Sequence, residues 1–167
     1  MSVLNFSTEY LTTLCAEAQK SSRQRQHRNI HKSYEEPCQR LFNAIEPYSY
    51  IPPHRHTLDS TTETLLAIQG LFALIIFDDH GAFHQVIKFG TEYYQGNDIQ
   101  SKGVEIPSHL WHTVLALVPN SILFELKAGP FNPDTAKGFP SWAPKENNMA
   151  EVSAYLHKLY SLINPVQ

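Results

Sequence analysis

The chain has 167 residues, of which 42% are hydrophobic, and its 13 Lys and Arg against 16 Asp and Glu give a formal net charge of −3. This length suits a single domain with its own core, and the mild acidity argues against nucleic-acid or membrane-surface binding, which need clustered positive charge. The two cysteines, Cys15 and Cys38, are too few for a disulfide scaffold and favour a reducing compartment.

Two further features of the composition bear on the class of protein. The opening sequence MSVLNFSTEYL lacks the basic segment and the apolar run of a signal peptide, and no stretch approaches the roughly 18 apolar residues of a membrane span. We therefore expect a cytoplasmic protein. The nine histidines are a large number for this length, and they point to metal binding or proton transfer.

The first 37 residues predict a helix followed by a basic arm. Ser7 is a suitable N-cap for a helix within residues 1–20, whose apolar side chains recur at helical spacing. The arm, SSRQRQHRNIHKS, admits two interpretations. It is a solvated connector, or it folds over a pocket that takes an anionic ligand, in which case Arg28 and His31 are candidate contacts.

Short apolar runs broken by turn residues fill residues 38–131 and predict β-strands. With no amphipathic helix between them, they favour a mainly β, antiparallel barrel or jelly roll with both terminal helices packed outside. The predicted strands are Leu41–Ile45, Tyr48–Ile51, Thr64–Gln69, Leu71–Phe77, Ala82–Phe89, Val104–Ile106, His112–Leu117 and Ser121–Ala128, with hairpin turns at Asp78–Gly81 and Val118–Ser121.

The run Leu71–Phe77 is apolar at every position, so both of its faces should be covered. One face can line the barrel, and the other meets a terminal helix or a second subunit, which makes a homodimer reasonable. Residues 132–167 predict a proline-rich wrapping loop, anchored by Phe139 and Trp142, and then a helix. Asn148 and Glu151 form a capping signature at the start of that helix.

The strongest local pattern is a set of three histidines and one glutamate. His54 and His56 are two residues apart, so on a strand both side chains point the same way. Glu63 opens one later strand and His112 opens another. Three imidazoles and a carboxylate suit a divalent Fe, Mn, Zn, Ni or Co ion, and a six-coordinate ion would keep two positions open. A histidine pair alone is more typical of an ordinary core or surface.

The combined pattern resembles the cupin superfamily. In that family a first motif carries two histidines, a glutamate and, after six intervening residues, a glycine, and a second motif carries a proline and a ligand histidine. The intervals Glu63 to Gly70 and Pro107 to His112 match. The spacer after His56 is longer than usual, which leaves Asp59 as an alternative carboxylate. His109 stands where the second motif prefers glycine.

Three longer segments indicate a resemblance to one family within this superfamily. The segments QRLFNAIEPYSYIPPHRH, FELKAGPF and FPSWAPKE are similar to the WbuC family of cupin-fold metalloproteins, over about residues 28–146. This resemblance implies a metal held by His54, His56, Glu63 and His112, and an association with bacterial surface-polysaccharide (O-antigen) gene clusters. It does not imply a reaction.

Several other residues are candidates for the surroundings of the metal. Arg40 and Glu125 each interrupt an apolar strand, where a charge must pair or reach a cavity, and Glu125 could also orient a ligand histidine. His109 is a candidate general acid or base, or else an exposed turn residue. Arg55, between two predicted ligands, should point outward.

These observations support two main hypotheses. The first is a metal-dependent enzyme, an isomerase, epimerase or dioxygenase, acting on a small anionic or sugar substrate such as a sugar nucleotide. The second is a non-catalytic binding or sensor protein in which the metal anchors the ligand. A purely structural metal site is a weaker third reading, since structural sites have no open position. An acid or base positioned beside the metal separates the first two hypotheses.

Overall fold

A computed structural model describes residues 3–56, 61–91 and 101–163. Its helices are α1 (Thr8–Lys20) and α2 (Met149–Ile163). Its strands are β1 (Arg25–Asn29), β2 (Cys38–Ile45), β3 (Glu63–Gln69), β4 (Leu71–Phe77), β5 (Phe83–Gly90), β6 (Gly103–Ile106), β7 (Trp111–Ala116) and β8 (Ser121–Ala128). None of the helices in this part of the chain is long and apolar enough to cross a membrane.

The strands form two antiparallel sheets packed face to face. One sheet has the order β1-β2-β8-β3-β6 and the other β5-β4-β7, and a shared apolar core joins them through side chains such as Leu65, Phe72 and Leu123. This arrangement is the jelly-roll sandwich of the cupin fold, so the predicted fold class is confirmed. The sheets face each other as a sandwich and do not close into a barrel.

The two helices cover the outer faces of the sandwich, as predicted. Helix α1 packs Leu14 and Ala18 against Phe42 of the five-stranded sheet, and Ser7 caps it by accepting a hydrogen bond from the Tyr10 N–H. Helix α2 packs its apolar stripe against the outer side of β4. The outer face of the fully apolar strand is therefore covered by α2 of the same chain.

The basic arm contains strand β1, which neither sequence interpretation included. This strand pairs with β2 from Arg25↔Ile45 to Asn29↔Leu41. Its side chains are polar, so no apolar alternation marked it as a strand. Pairing with the edge of β2 nevertheless satisfies its backbone groups, and side chains two residues apart then face the sheet interior together.

Three other boundaries correct the sequence prediction. Residues 48–51 form no strand, because Tyr48 takes a left-handed backbone (φ 64°) that interrupts an extended run. Strand β2 begins at Cys38, three residues before the predicted start. The turn at 118–121 is not a hairpin turn, since the strands that it joins belong to different sheets. The hairpin at 78–81 is confirmed, as β4 pairs with β5.

Two positions in the connections hold the sheets and the wrapping loop in place. Gly70 links β3 to β4 with a φ of 87°, and a Cβ there would lie 2.8 Å from Ser121 Cβ, so only glycine fits. Trp142 anchors the wrapping loop against the Phe77 ring, 5.2 Å away between centroids. Phe139, also predicted as an anchor, is instead 63% exposed.

Candidate metal centre

The sandwich brings the four predicted ligands together at one end of its interior. His54 pairs with His112 of β7 through two backbone hydrogen bonds of 3.0 and 2.9 Å, and His56 follows two residues later. Glu63 is the first residue of β3. All four side chains are buried, and their ligand atoms lie within 4.8 Å of one another.

The three histidines are held in the orientation that a metal requires. Each Nδ1 lies against a backbone carbonyl: His54 against Pro52 at 2.9 Å, His56 against Ala136 at 2.6 Å and His112 against Leu110 at 2.8 Å. A carbonyl can only accept, so Nδ1 carries the proton and Nε2 keeps its lone pair. Carbonyl groups orient metal-ligating histidines in this way in known metal sites.

The three Nε2 atoms are buried and have no hydrogen-bond partner among the described residues. Buried polar atoms nearly always have a hydrogen-bond partner. Three unprotonated Nε2 atoms that converge on the Glu63 carboxylate are the arrangement expected for ligands of a cation. The donor set therefore fits a divalent transition metal.

His56 has one competing contact. Lys127 Nζ lies 2.7 Å from its Nδ1, the atom that also faces the Ala136 carbonyl. An ammonium group only donates, so the two contacts cannot both be hydrogen bonds in one tautomer. We favour the contact with Ala136, because it leaves Nε2 unprotonated in the same way as in the other two histidines.

The spacing and protonation of Glu63 also suit a metal. Glu63 Oε2 is 3.6 Å from His56 Nε2 and 3.5 Å from His112 Nε2, and two ligands about 2.1 Å from one ion lie roughly 3 to 4 Å apart. Burial would raise the pKa of Glu63, but the polar groups around it, among them the cation Lys137, outweigh it and hold the pKa well below its usual range.

The protonation state of His54 points the same way. Burial, with added repulsion from Lys137 and His112, holds the pKa of His54 well below its usual range. A neutral imidazole beside an ionised carboxylate is the ligand state that metal binding needs.

Two cavities flank the ligands. The first, about 170 Å³, lies on the side of His54 and His112 and has apolar walls such as Leu65 and Val114. The second, about 110 Å³, lies on the side of His56. Four titratable side chains line both cavities: His27, Glu63, Glu125 and Lys137. The site is thus open to a small ligand from either side.

Glu125 supplies an acid beside the ligands. Burial and the charge of Glu63 raise the pKa of Glu125 well above its usual range, against the opposing effect of Lys137 and Lys127. These effects favour the protonated form of its carboxyl group, which lines both cavities and can act there as an acid. A positioned acid is the feature that the enzyme hypothesis requires.

Sequence reasoning missed two residues of the site. His27 lies on β1 and lines both cavities, and burial, with repulsion from Lys137 and Arg25, lowers its pKa to about 4. Polar side chains fill both faces of this strand, so no periodicity in the sequence indicated it. Lys137 comes from the wrapping loop, where no local pattern indicates which way a side chain points.

The structure does not bring three of the candidate residues to the ligands. Arg40 pairs with Glu36 at 2.7 Å and not with Glu125. Arg28 pairs with Glu17 of α1 at 2.8 Å. Neither arginine lines either cavity, since both lie on the face of the sheet that meets α1 or solvent.

His109 is the third candidate away from the site. It is exposed on its turn and lines neither cavity, so the geometry favours Glu125 over His109 as the acid. The alternative carboxylate, Asp59, lies outside the described residues. His31 does line the second cavity.

Arg55 points away from the ligands, as expected. It stacks over the Trp111 ring at 4.1 Å and pairs with Asp79 at 3.1 Å. The wrapping loop contributes the opposite wall through Ala136, Lys137 and Phe139.

Comparison with known proteins places the chain in a family. Residues 6–89 match the model of a domain of unknown function, DUF6016. The chain belongs to this family. No functionally curated protein matches the sequence.

Solved structures show the same fold at low sequence identity. A Shewanella oneidensis protein from a structural genomics consortium has a TM-score of 0.60 at 11% identity, over 95% of this chain and 98% of that one. CapF, solved with the inhibitor 3-isopropenyl-tropolone, has a TM-score of 0.50 at 19% identity, over 68% of this chain. This chain spans only 31% of that CapF chain. Both comparisons indicate a cupin fold and, at this identity, nothing more specific.

Proposed function

We propose that the protein is a metal-dependent enzyme acting on a small polar substrate, a sugar or sugar nucleotide of bacterial surface-polysaccharide metabolism. The observation that carries the proposal is the convergence of three buried, unpartnered Nε2 atoms and Glu63 beside a cavity lined by Glu125. The resemblance to the WbuC family supports the link with polysaccharides. The homodimer stays a prediction from the sequence.

A divalent metal held by His54, His56, Glu63 and His112 would polarise a substrate oxygen and acidify the adjacent C–H bond. The protein's own groups supply the rest. Glu125, at the cavity wall, would take the C–H proton as a carboxylate and return it as a carboxyl group to the same or an adjacent carbon. Lys137, which lines both cavities, adds positive charge where negative charge develops. Proton transfer of this kind favours isomerase or epimerase chemistry.

Metal content tests the site itself. Elemental analysis of the purified protein should find about one divalent transition metal per chain. The double variant His54→Ala/His112→Ala should contain none, because it loses two of four ligands. His84→Ala, which removes an exposed histidine of β5, should retain the metal. Stoichiometric metal in the double variant would show that the assignment of the metal ligands is wrong.

Hydrogen exchange tests the reaction. Metal-loaded protein is incubated in D₂O with a panel of hexoses, hexuronates and sugar nucleotides, and NMR detects deuterium that enters a C–H position. We expect exchange with the wild type and at least a hundredfold slower exchange with Glu125→Gln at unchanged metal content, since general acid–base catalysis contributes about 10²–10⁴-fold. Saturable binding of a panel member without exchange would favour the non-catalytic alternative.

A further inference from the structure

The second cavity has features that metal binding does not explain. Its volume of about 110 Å³ is that of three to four water molecules at roughly 30 Å³ each. The rings of Tyr34 and Phe131 form part of its wall, with centroids 5.0 Å apart. It is too small for a whole sugar but has room for an acidic group and its neighbouring atoms.

One wall carries a buried acceptor that nothing satisfies. Gln39 is 4% exposed, and its Nε2 donates to the carbonyls of Tyr34 at 3.1 Å and Glu36 at 2.8 Å. These two bonds fix the orientation of the amide. Gln39 Oε1 is then left without a hydrogen-bond partner among the described residues, so it is available to a donor such as a hydroxyl group.

The same wall carries a buried donor. His31 is 6% exposed, and the Arg40 N–H points at its Nδ1 from 3.0 Å. The Arg40 carbonyl also lies near Nδ1, at 2.9 Å, but its two acceptor positions are taken by the backbone N–H groups of Ile30 at 2.8 Å and His31 at 3.3 Å. We therefore assign Nδ1 as the acceptor, which places the proton on Nε2. His31 Nε2 is buried and without a partner in the described part of the chain.

Two ammonium groups line the cavity. Lys127 and Lys137 line it together with His27 and His31. The acidic residues on its wall are Glu63, which faces the metal ligands His56 and His112, and Glu125. Two ammonium groups and a ring N–H match the oxygens of an anion, and the orphaned amide oxygen matches a hydroxyl group next to that anion.

We propose that the second cavity is a substrate subsite that binds a carboxylate or phosphoryl group with a neighbouring hydroxyl, while the rest of the substrate extends toward the metal ligands. This assignment rests on the proposed function and makes its substrate class specific: an acidic or phosphorylated sugar. The anion is recognised by lysines of β8 and the wrapping loop, and not by Arg28 or Arg40.

Calorimetric titration of metal-loaded protein with three probes tests this subsite: D-glucuronate, D-glucose 6-phosphate and uncharged D-glucose. We expect at least one charged probe to bind at least tenfold more tightly than glucose, and the tighter of the two identifies the anion. Lys137→Gln should weaken that binding about tenfold, because a charge-assisted hydrogen bond is lost. Lys158→Gln, which removes an exposed lysine of α2, should change it less than twofold.

Gln39→Glu gives a second, independent readout. The substitution keeps the size of the side chain but places negative charge beside the anion, so it should abolish binding of the charged probe. NMR spectra of the variant should confirm that the fold is intact.

Three outcomes would overturn the subsite: equal affinity for charged and uncharged probes, no binding of either charged probe, or binding that Lys137→Gln leaves unchanged. Metal content measured on the same samples keeps the two proposals distinct. If the protein contains one metal ion but does not bind the charged probes, only the subsite proposal is wrong. If the protein contains no metal, the proposed function is wrong.

Discussion

The two ends of the space between the sheets differ in chemistry although the same strands run through both. Along β7 the inward residues change from Val114 to His112, and along β3 from Leu65 to Glu63. Along β8 they change from Leu123 to Glu125. The inward residues of each strand thus change from apolar to polar toward the metal ligands.

The two ends of the sandwich therefore have different roles: the apolar end stabilises the fold, and the polar end provides the groups for ligand binding. The apolar end gains free energy from removing hydrocarbon from water. The polar end buries imidazoles, carboxyl groups and an ammonium group, each of which costs free energy unless it is paired. Functional sites retain such groups because binding of a ligand offsets the unfavourable free energy of burying them. Some loss of stability is usual at functional sites.

The largest expected effect lies at the apolar end. Phe72 is fully buried and packs on Phe89 with centroids 5.5 Å apart. Phe72→Ala should lower the free energy of unfolding by about 3–5 kcal/mol, because it leaves a cavity in a close-packed core. Urea unfolding measures the loss. The folded fraction should still bind metal, and a variant that keeps its stability but loses its metal would contradict the division between the two ends.

The next effect lies at the polar end and depends on the ion. Metal at a free concentration one hundred times its Kd should stabilise the wild type by about 2.7 kcal/mol. The same addition should not stabilise His54→Ala/His112→Ala. Thermal unfolding with and without a chelator compares the two proteins, and an equal rise in Tm in both would show that the ion binds elsewhere.

The division between the ends also explains how much the sequence could predict. Glu63 and His112 were predictable because the strands that carry them have strong apolar patterns, and His54 and His56 were predictable because their motif spacing is local. Glu125 was visible for the same reason, as a charge inside an apolar strand. The helices were predictable from their caps and stripes.

The cavity walls from the arm and the wrapping loop were not predictable in this way. Strand β1 has polar side chains and is held by backbone hydrogen bonds to β2. Backbone pairing of this kind produces no hydrophobic pattern in the sequence. Lys137 reaches the site because the wrapping loop pairs Gly138 with Arg55, a contact between residues far apart in sequence. Arg40 was misassigned because a single polar residue in a strand does not show which face it occupies.

A smaller effect is expected where the arm and the wrapping loop meet over the first cavity. The Arg25 side chain is 5% exposed and its Nη2 lies 2.7 Å from Glu146 Oε1. Glu146→Gln removes the charge but keeps the size, and should cost about 1 kcal/mol, a modest value because Glu146 is 44% exposed. Urea unfolding should show no comparable loss in Glu35→Gln, which changes an exposed carboxylate of the arm. Equal losses would mean that this ion pair does not close the cavity.

The smallest effect concerns pH and the polar end. Burial and the neighbouring cations lower the pKa of His27 to about 4, below the value of about 6.5 expected in the unfolded chain. Between these values the unfolded chain binds more protons, so this residue's contribution to stability is complete above pH 6.5 and is lost as the pH falls toward 4.

His27→Gln should therefore flatten the fall in stability between pH 6.5 and 4 by less than about 1 kcal/mol, because the side chain is exposed at the cavity mouth and solvent screens its interactions. Urea unfolding in the presence of a chelator removes the contribution of metal binding. His84→Gln, at an exposed position of β5, is the matched control and should follow the wild type. If the profiles of His27→Gln and the wild type run parallel, the cations around the second cavity do not act on this ring, and the charge that the polar end presents to a ligand is weaker than the structure indicates.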